Sequence, residues 1–160
     1  MFEISNQVLT VTLSPKGAEL QSIYHRANQL EYLWDANPAF WSKKSPVLFP
    51  IVGGLKNNSY TFQGKSYQLS RHGFAREKDF AVTAQSTNSI SFTLIADQET
   101  KKVYPFDFRF TLIYTLVNNT LTVEYLVENT GKEPLYFSVG AHPAFKVPLV
   151  NGTVFSDYSI

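Results

Sequence analysis

The chain has 160 residues, and 14 Lys+Arg against 13 Asp+Glu leave a formal net charge of +1. This near balance excludes the basic surplus that a nucleic-acid-binding protein uses to displace phosphate counterions. The 44% of hydrophobic residues suits a folded domain, and the absence of cysteine excludes disulfides, thiolate metal sites and a cysteine nucleophile.

Two features bear on where the protein works. No basic-then-apolar leader follows Met1, and the longest apolar stretch, residues 46–52, is too short to cross a bilayer. We therefore expect a cytoplasmic protein that has neither a membrane nor a nucleic acid as its partner.

Alternation of apolar and polar residues with a period of two dominates the chain and predicts half-buried β-strands. In chain order, strands are predicted over residues 8–13, 18–24, 59–63, 66–69, 80–84 and 89–96. Helical structure is predicted only over two short stretches: a turn or two over residues 38–44 behind Asn37, and another over residues 97–104 before Pro105.

The strongest alternation predicts a long antiparallel hairpin with one buried face. Even positions are apolar over residues 106–116, and odd positions are apolar over residues 121–127. Asn118 and Asn119 between them tolerate turn geometry. With a further strand predicted over residues 135–139, the fold class is all-β, in a single domain over residues 1–160.

The last residues, 151–160, resume a strand-like alternation and then stop, which leaves an open sheet edge. Open edges promote aggregation, and a large sheet needs partner strands on its other face. We therefore expect residues 1–160 to be the truncated amino-terminal half of a larger domain; a natural end on an edge strand is the alternative. The exposed apolar face of such a half predicts self-association.

A first group of chemistry-bearing side chains lies in residues 71–76, which contain Arg71, His72, Gly73, Phe74 and Arg76. Arginine offers a rigid donor fork for hydroxyls or anions, and glycine lets the backbone approach a ligand closely. These residues predict a ligand-binding loop. The alternative is a solvated basic turn in which His72 is hydrogen-bonded to the backbone.

A second group lies in residues 140–145, where an apolar strand runs into His142 and Pro143. Proline restricts the backbone of the residue before it, and a strand-end imidazole suits a general acid or base near neutral pH. The alternative is a buried structural histidine at a strand corner. His25 lacks such neighbours and is predicted to be an ordinary surface residue.

Other signals of chemistry are weak. The sequence contains no zinc-ligand cluster, phosphate-binding glycine loop or nucleophile elbow, so no metal site is predicted. The pair Gly53-Gly54 is interpreted as a plain loop. Aromatic residues with ring faces that could stack on a sugar are Trp34, Phe40, Trp41 and Phe49, although core filling is the commoner role for such residues.

Four motifs together resemble one protein family. They occur in this order: Ser45-Pro-Val-Leu-Phe-Pro-Ile-Val-Gly53, Arg71-His-Gly-Phe-Ala-Arg76, Tyr104-Pro-Phe and Gly140-Ala-His-Pro-Ala-Phe145. The chain resembles the aldose 1-epimerase (galactose mutarotase) superfamily, in particular its bacterial LacX-like branch. Family members are considerably longer. The resemblance therefore implies the amino-terminal portion of a galactose mutarotase-like β-supersandwich of large antiparallel sheets.

The resemblance implies an isomerase that interconverts the α and β anomers of a free aldose, with no metal or organic cofactor. His142 matches the family's general acid at the ring oxygen, and His72 matches the second histidine, which hydrogen-bonds near that oxygen. Arg76 matches the sugar-facing arginine, and we expect Arg71 and Phe74 of the same segment to contact the substrate. Two imidazoles that titrate near neutral pH suit a reaction whose acid and base exchange roles.

The chain departs from the family pattern at two places. Asn57-Asn58 stands near an Asn-Arg pair of galactose mutarotases, so we expect Asn57 to contact the sugar but infer no galactose preference. The family's general base is a glutamate in the carboxy-terminal half, and we expect it beyond residue 160. Glu77, Glu124 and Glu128 are candidates by residue type only.

Two other functions fit the same residues. A carbohydrate-binding β-sandwich without catalysis would keep the aromatic residues and Arg76 but lack the base. A mutarotase-like protein for sugar phosphates would use the neighbouring guanidiniums of Arg71 and Arg76 to hold the phosphate.

Overall fold

The computed structural model describes residues 1–159 and is built mainly of antiparallel β-strands, which confirms the all-β prediction. The strands are β1 (Phe2–Ser5), β2 (Leu9–Leu13), β3 (Leu20–His25), β4 (Leu30–Glu31), β5 (Val47–Leu48), β6 (Ser59–Phe62), β7 (Lys65–Gln68), β8 (Ala81–Gln85), β9 (Ser89–Ile95), β10 (Phe108–Val117), β11 (Thr120–Asn129) and β12 (Gly140–Ala141). The helical elements are α1 (Gln98–Val103) and three 3-10 turns, Lys56–Asn58, Ala75–Glu77 and Phe155–Asp157.

Two four-stranded sheets enclose one contiguous hydrophobic core. The first sheet has the order β1-β2-β3-β4, and the second has the order β11-β10-β9-β8. Strand β2 buries alternate residues, as its period-two pattern predicts. Two small sheets, β6-β7 and β12-β5, complete the described strands.

The long hairpin forms as predicted, with its turn at Asn118 and Asn119. Strands β10 and β11 have ten residues each and pair from Phe108 opposite Asn129 to Val117 opposite Thr120. Asn118 takes a φ of 54° in the turn, a conformation that asparagine tolerates better than most residues. The even-numbered apolar residues of β10 are buried, whereas the odd-numbered apolar residues of β11 are only half-buried.

An aromatic cluster around Phe49 supports the loops that follow β5. Phe49 is fully buried, and its ring stacks on that of Phe110 with 4.4 Å between centroids. Edge-on and tilted contacts join Phe49 to Phe74, Tyr104 and Phe108. Ring pairs at these separations stabilise a core beyond the area that they bury. The cluster therefore gives the neighbouring loops a rigid base.

Of the two stretches predicted to make helical turns, one forms a short helix and the other a single turn. Helix α1 begins at a capping box in which the Asp97 side chain accepts a hydrogen bond from the Thr100 amide, and it ends before Pro105. Residues 38–44 form a single turn capped by Asn37, which confirms the predicted turn but is not continued into a longer helix. Pro38 suits the first turn, and residues 38–40 are exposed, so little burial stabilises further helix there.

Two strand predictions near the end of the chain are wrong. Residues 135–139 form no strand. Among residues 1–159 they make one backbone-to-backbone hydrogen bond, from the Ser138 amide to the Pro50 carbonyl, which is too few for strand pairing. Residues 151–159 contain the 3-10 turn Phe155–Asp157 instead of a strand. The Tyr158 hydroxyl organises this turn by accepting hydrogen bonds from the amides of Leu149 and Val150.

No helix within residues 1–159 is long and apolar enough to span a membrane.

We predict that Tyr114→Phe lowers the free energy of unfolding by about 1–3 kcal/mol. The buried Tyr114 hydroxyl donates to the Ala18 carbonyl at 2.7 Å and so ties β10 to the opposite sheet. Its loss leaves a buried carbonyl oxygen without that donor. Urea denaturation measures the change, with Tyr125→Phe as the control. Equal values for the two variants would contradict the prediction.

Candidate active site

The loop of residues 71–76 lies directly against the end of β5. The amides of Phe74 and Ala75 both donate to the Phe49 carbonyl, at 3.0 and 3.2 Å. Gly73 has a φ of 70°, and a Cβ atom there would lie 2.2 Å from the Phe49 carbonyl oxygen. Only glycine allows this close approach of two backbones. The loop is therefore fixed to the aromatic cluster.

His72 is locked to a second loop through its backbone and its ring. Its amide donates to the Gly53 carbonyl at 2.8 Å, and its Nδ1 accepts from the Gly53 amide at 3.0 Å. His72 has a φ of 68°, a left-handed conformation that histidine adopts more often than most side chains. This pair of hydrogen bonds places the imidazole between the two loops.

The two arginines of the loop lie beside His72. The Arg71 Nε atom is 3.2 Å from the His72 Nε2 atom. Arg76, in the 3-10 turn Ala75–Glu77, donates from Nη2 to the Arg71 carbonyl at 3.0 Å. Its Nε atom is buried and has no hydrogen-bond partner among the described residues. The loop thus concentrates positive charge around one imidazole.

The surroundings of His72 disfavour its protonated form. Partial burial has the largest effect, and the charges of Arg71, Arg76 and His142 add to it, so the pKa of His72 is lower than its ordinary value.

We predict that His72 titrates with a midpoint below about 6.5, the ordinary pKa of histidine. Because the unfolded chain then binds this proton more readily, His72 lowers stability as the pH falls below about 6.5 and has no such effect at higher pH. An NMR titration of the ring protons measures the midpoint. In the Arg71→Ala variant we expect the titration midpoint of His72 to rise, because the Arg71 charge that lowers it is removed. A midpoint at or above 6.5 in the unmodified protein would contradict the prediction.

His142 reaches the same region from a distant part of the chain. Strand β12 pairs antiparallel with β5, and Phe49, directly after β5, forms a parallel bridge with Gly73. The His142 amide donates to the Pro46 carbonyl at 3.2 Å. Its exposed ring lies against Trp41, with 5.0 Å between centroids. Residues 46–53 therefore connect both histidine motifs.

The other two predicted substrate contacts differ in position. Asn57 is exposed in the 3-10 turn Lys56–Asn58 and has a φ of 56°. Within the part of the chain described, its side chain makes no hydrogen bond to His72 or His142. Phe74 is half-buried, and its ring contacts Phe49, Tyr104 and Phe108 in the aromatic cluster. Their roles toward a substrate stay predictions.

The three glutamates that are candidates for the base by residue type either pair with basic side chains or are exposed to solvent. Glu77 forms salt bridges to Lys43 at 3.0 Å and Lys16 at 3.6 Å, and its pKa is lowered, most of all by the hydrogen bond from Lys43. Glu128 pairs with Arg109 on the outer face of the hairpin, where Glu124 is exposed. A carboxylate held ionised by two lysines is a weak base.

Two contacts at the site were not predicted. Gly53, interpreted from sequence as plain loop, holds the ring of His72, and Trp41 packs on the ring of His142. The signal available for Gly53 was its place directly after a buried apolar segment. Among residues 1–159, no group of three or more His, Cys, Asp or Glu side chains is arranged to hold a metal ion.

A comparison with protein families shows which family the chain belongs to. The model of the family described as Aldose 1-epimerase matches residues 1–158. The chain belongs to the aldose 1-epimerase family. The predicted resemblance is thereby confirmed, over nearly the whole chain.

Individual relatives of this aldose 1-epimerase family chain agree in sequence and in structure. The chain is 38% identical to the chromosomal Protein LacX of Lactococcus lactis subsp. lactis, over 99% of this chain and 54% of that protein. A galactose mutarotase related enzyme from Lactobacillus acidophilus superposes with a TM-score of 0.93 at 45% identity, over 95% of this chain and 51% of that one. A galactose mutarotase-like protein from Lactobacillus casei ATCC 334 gives 0.90 at 36% identity, over 94% and 51%.

These likenesses confirm the galactose mutarotase-like fold. The chain spans about half the length of the curated relatives it matches. The activity of the whole protein is therefore a proposal.

Proposed function

We propose that the protein interconverts the α and β anomers of a free aldose by acid/base opening and closing of the sugar ring. The observation that carries this proposal is the convergence of His142 and His72 on residues 46–53 in a member of the aldose 1-epimerase family. The arginine donors beside His72 and the exposed imidazole of His142 suit a small polyhydroxylated substrate.

The proposed reaction balances with one proton entering and one leaving the sugar. A base takes the proton of the anomeric hydroxyl, and its electron pair forms the aldehyde carbonyl as the bond from C1 to the ring oxygen breaks. His142, as imidazolium, gives its proton to that ring oxygen. Rotation about the bond from C1 to C2 and the reverse steps then close the ring as the other anomer.

The contacts of His142 support its role as the acid. The ring is exposed, so a sugar can reach it, while Trp41 packs on it and the backbone at Pro46 holds its strand end. Packing and a fixed backbone hold a general acid within hydrogen-bond reach of one substrate atom.

The arginines support sugar binding beside His72. Arg76 uses Nη2 to hold the Arg71 carbonyl, and we propose that its Nη1 group donates to sugar hydroxyls. Arg71 is exposed at the mouth of the same loop. We propose that Asn57 and Phe74 complete the binding surface, Asn57 through its amide and Phe74 through the exposed part of its ring.

We propose that the general base comes from residues beyond Ile160. Glu77 is held by two lysines, and the chain spans about half the length of its curated relatives. The intact mass of the protein isolated from its source cells tests this. A mass well above 18.1 kDa agrees with the proposal. A mass of 18.1 kDa would contradict it and favour a carbohydrate-binding module without catalysis.

Exchange NMR on sugars at anomeric equilibrium tests the function itself. Cross-peaks between the α and β anomeric protons of an aldose are expected to grow with protein concentration. The same panel includes hexose 6-phosphates, because the neighbouring Arg71 and Arg76 also suit a phosphate. If exchange were faster only for the hexose 6-phosphates, the proposed substrate would be a sugar phosphate and not a free aldose. Line broadening without exchange for every sugar would overturn catalysis.

A further inference from the structure

Both ring nitrogens of His72 face a hydrogen-bond donor. The Gly53 amide lies 3.0 Å from Nδ1, and the Arg71 Nε–H group lies 3.2 Å from Nε2. A neutral imidazole has one acceptor nitrogen, and an imidazolium has none. At most one of the two His72 ring nitrogens therefore accepts a hydrogen bond at any moment. In the neutral ring, the nitrogen that does not accept carries the proton.

The backbone contact is the one that persists. The Gly53 amide is part-buried and is paired with the reciprocal bond from the His72 amide to the Gly53 carbonyl. A proton on Nδ1 would place two N–H groups against each other and leave the Gly53 amide unsatisfied, which is costly for a buried donor. The exposed Arg71 side chain can turn to water instead.

We propose that Gly53 is a positioning residue that holds His72 as the neutral tautomer with its proton on Nε2. His72 then donates one hydrogen bond from Nε2 to an oxygen of the bound sugar and takes no proton from it. This inference rests on the proposed function. It separates the two histidines by role, since His142 transfers a proton and His72 keeps its own.

The groups around His72 favour this neutral state. Arg71, Arg76 and His142 are the charged or titratable groups that act on it, and all three oppose a second proton on the ring. The Arg71 guanidinium occupies the position in front of Nε2, so it has to move aside when a sugar oxygen accepts the Nε2 proton in a hydrogen bond.

The conformation of Gly53 allows a selective test. Its φ is 87°, and a Cβ atom there would meet nothing within 4 Å, so Gly53→Ala disturbs the backbone without a steric overlap. Gly64, in the turn between β6 and β7, has a φ of 75° and equally open surroundings. Gly64→Ala therefore imposes similar backbone strain at a site that does not touch His72.

Long-range ¹H–¹⁵N NMR correlation of the histidine rings distinguishes the two tautomers directly. At neutral pH we expect the Nε2-protonated form of His72 in about tenfold excess, which corresponds to the net contribution of one hydrogen bond. We expect that excess to fall in Gly53→Ala and to stay unchanged in Gly64→Ala. A dominant Nδ1-protonated form in the unmodified protein would overturn the inference, whether or not the variants fold.

A second variant separates the two contacts. Arg71→Ala removes the donor at Nε2, and we expect the tautomer of His72 to stay the same. A switch of tautomer in this variant would show that Arg71, not Gly53, sets the proton position. The sugar exchange experiment reads the proposed function separately, so accelerated exchange with an Nδ1-protonated His72 overturns this inference alone. Absent exchange with an Nε2-protonated His72 overturns the proposed function alone.

Discussion

Replacing His142 by asparagine is expected to lower the rate of catalysed anomer interconversion by about 10²–10⁴-fold. Asparagine keeps a polar side chain of similar reach, but its amide has no proton to give to the ring oxygen near neutral pH. Polarimetry of a freshly dissolved α-aldose, with the protein in the form that its source cells make, measures the rate.

The control for that substitution is His25→Asn. His25 lies on β3, where its Nδ1 accepts from the Asn28 amide at 3.2 Å, apart from both histidine motifs. This variant is expected to keep the unmodified rate. Because His142 is exposed, His142→Asn should change the free energy of unfolding by no more than about 0.5 kcal/mol. A nearly unchanged rate in His142→Asn would remove His142 from the role of acid.

The substitution Gly73→Ala is expected to lower the free energy of unfolding by about 2–5 kcal/mol. Its φ of 70° costs an L-residue about 1–2 kcal/mol, and the overlap with neighbouring atoms adds about 1–3 kcal/mol. The added methyl group would lie 2.2 Å from the Phe49 carbonyl oxygen and 2.7 Å from the Pro50 Cδ atom. Both are parts of the segment that supports the site.

Gly64→Ala is the matched control for Gly73→Ala. It meets a similar backbone strain without overlap and is expected to cost about 1–2 kcal/mol. Urea denaturation of both variants measures the difference in their free energies of unfolding. If Gly73→Ala does not fold, the yields of soluble protein from the two variants are compared instead. Equal costs for the two variants would mean that the close approach at Phe49 does not hold the loop in place.

The elements that could be predicted from sequence are those with their own local signals. The hairpin over β10 and β11 was predicted because its alternation persists for ten residues on each side of an Asn-Asn turn. Helix α1 was predicted over residues 97–104 because Pro105 stops it, and the structure adds a capping box at Asp97. Both signals act between neighbours in the chain, so no tertiary information was needed.

The missed elements depend on contacts between distant residues. Strands β5 and β12 have two residues each, too few for any periodicity, and they exist because they pair with each other. Residues 135–139 have a suitable composition for a strand but no neighbouring strand among residues 1–159. Composition shows which segments are able to pair, whereas pairing itself decides which of them become strands.

The same distinction applies to the candidate site. His72 and His142 were predicted as site residues because a histidine beside glycine, proline or arginine is recognisable in the sequence. Their convergence was implied only by family resemblance, because it depends on the β5–β12 pairing and on the bridge between Phe49 and Gly73. The role of Gly53 was missed because a backbone amide leaves no trace in residue types.

The central claim is that both histidine motifs serve one sugar site, and a sugar titration followed on the imidazole ¹H–¹⁵N signals tests it most directly. As an aldose is added to the protein from its source cells, we expect the signals of His142 and His72 to shift with one common dissociation constant. The signals of His25 are expected to stay unchanged. A shift of only one of the two site histidines, or of His25 along with them, would contradict a single site built by the two motifs.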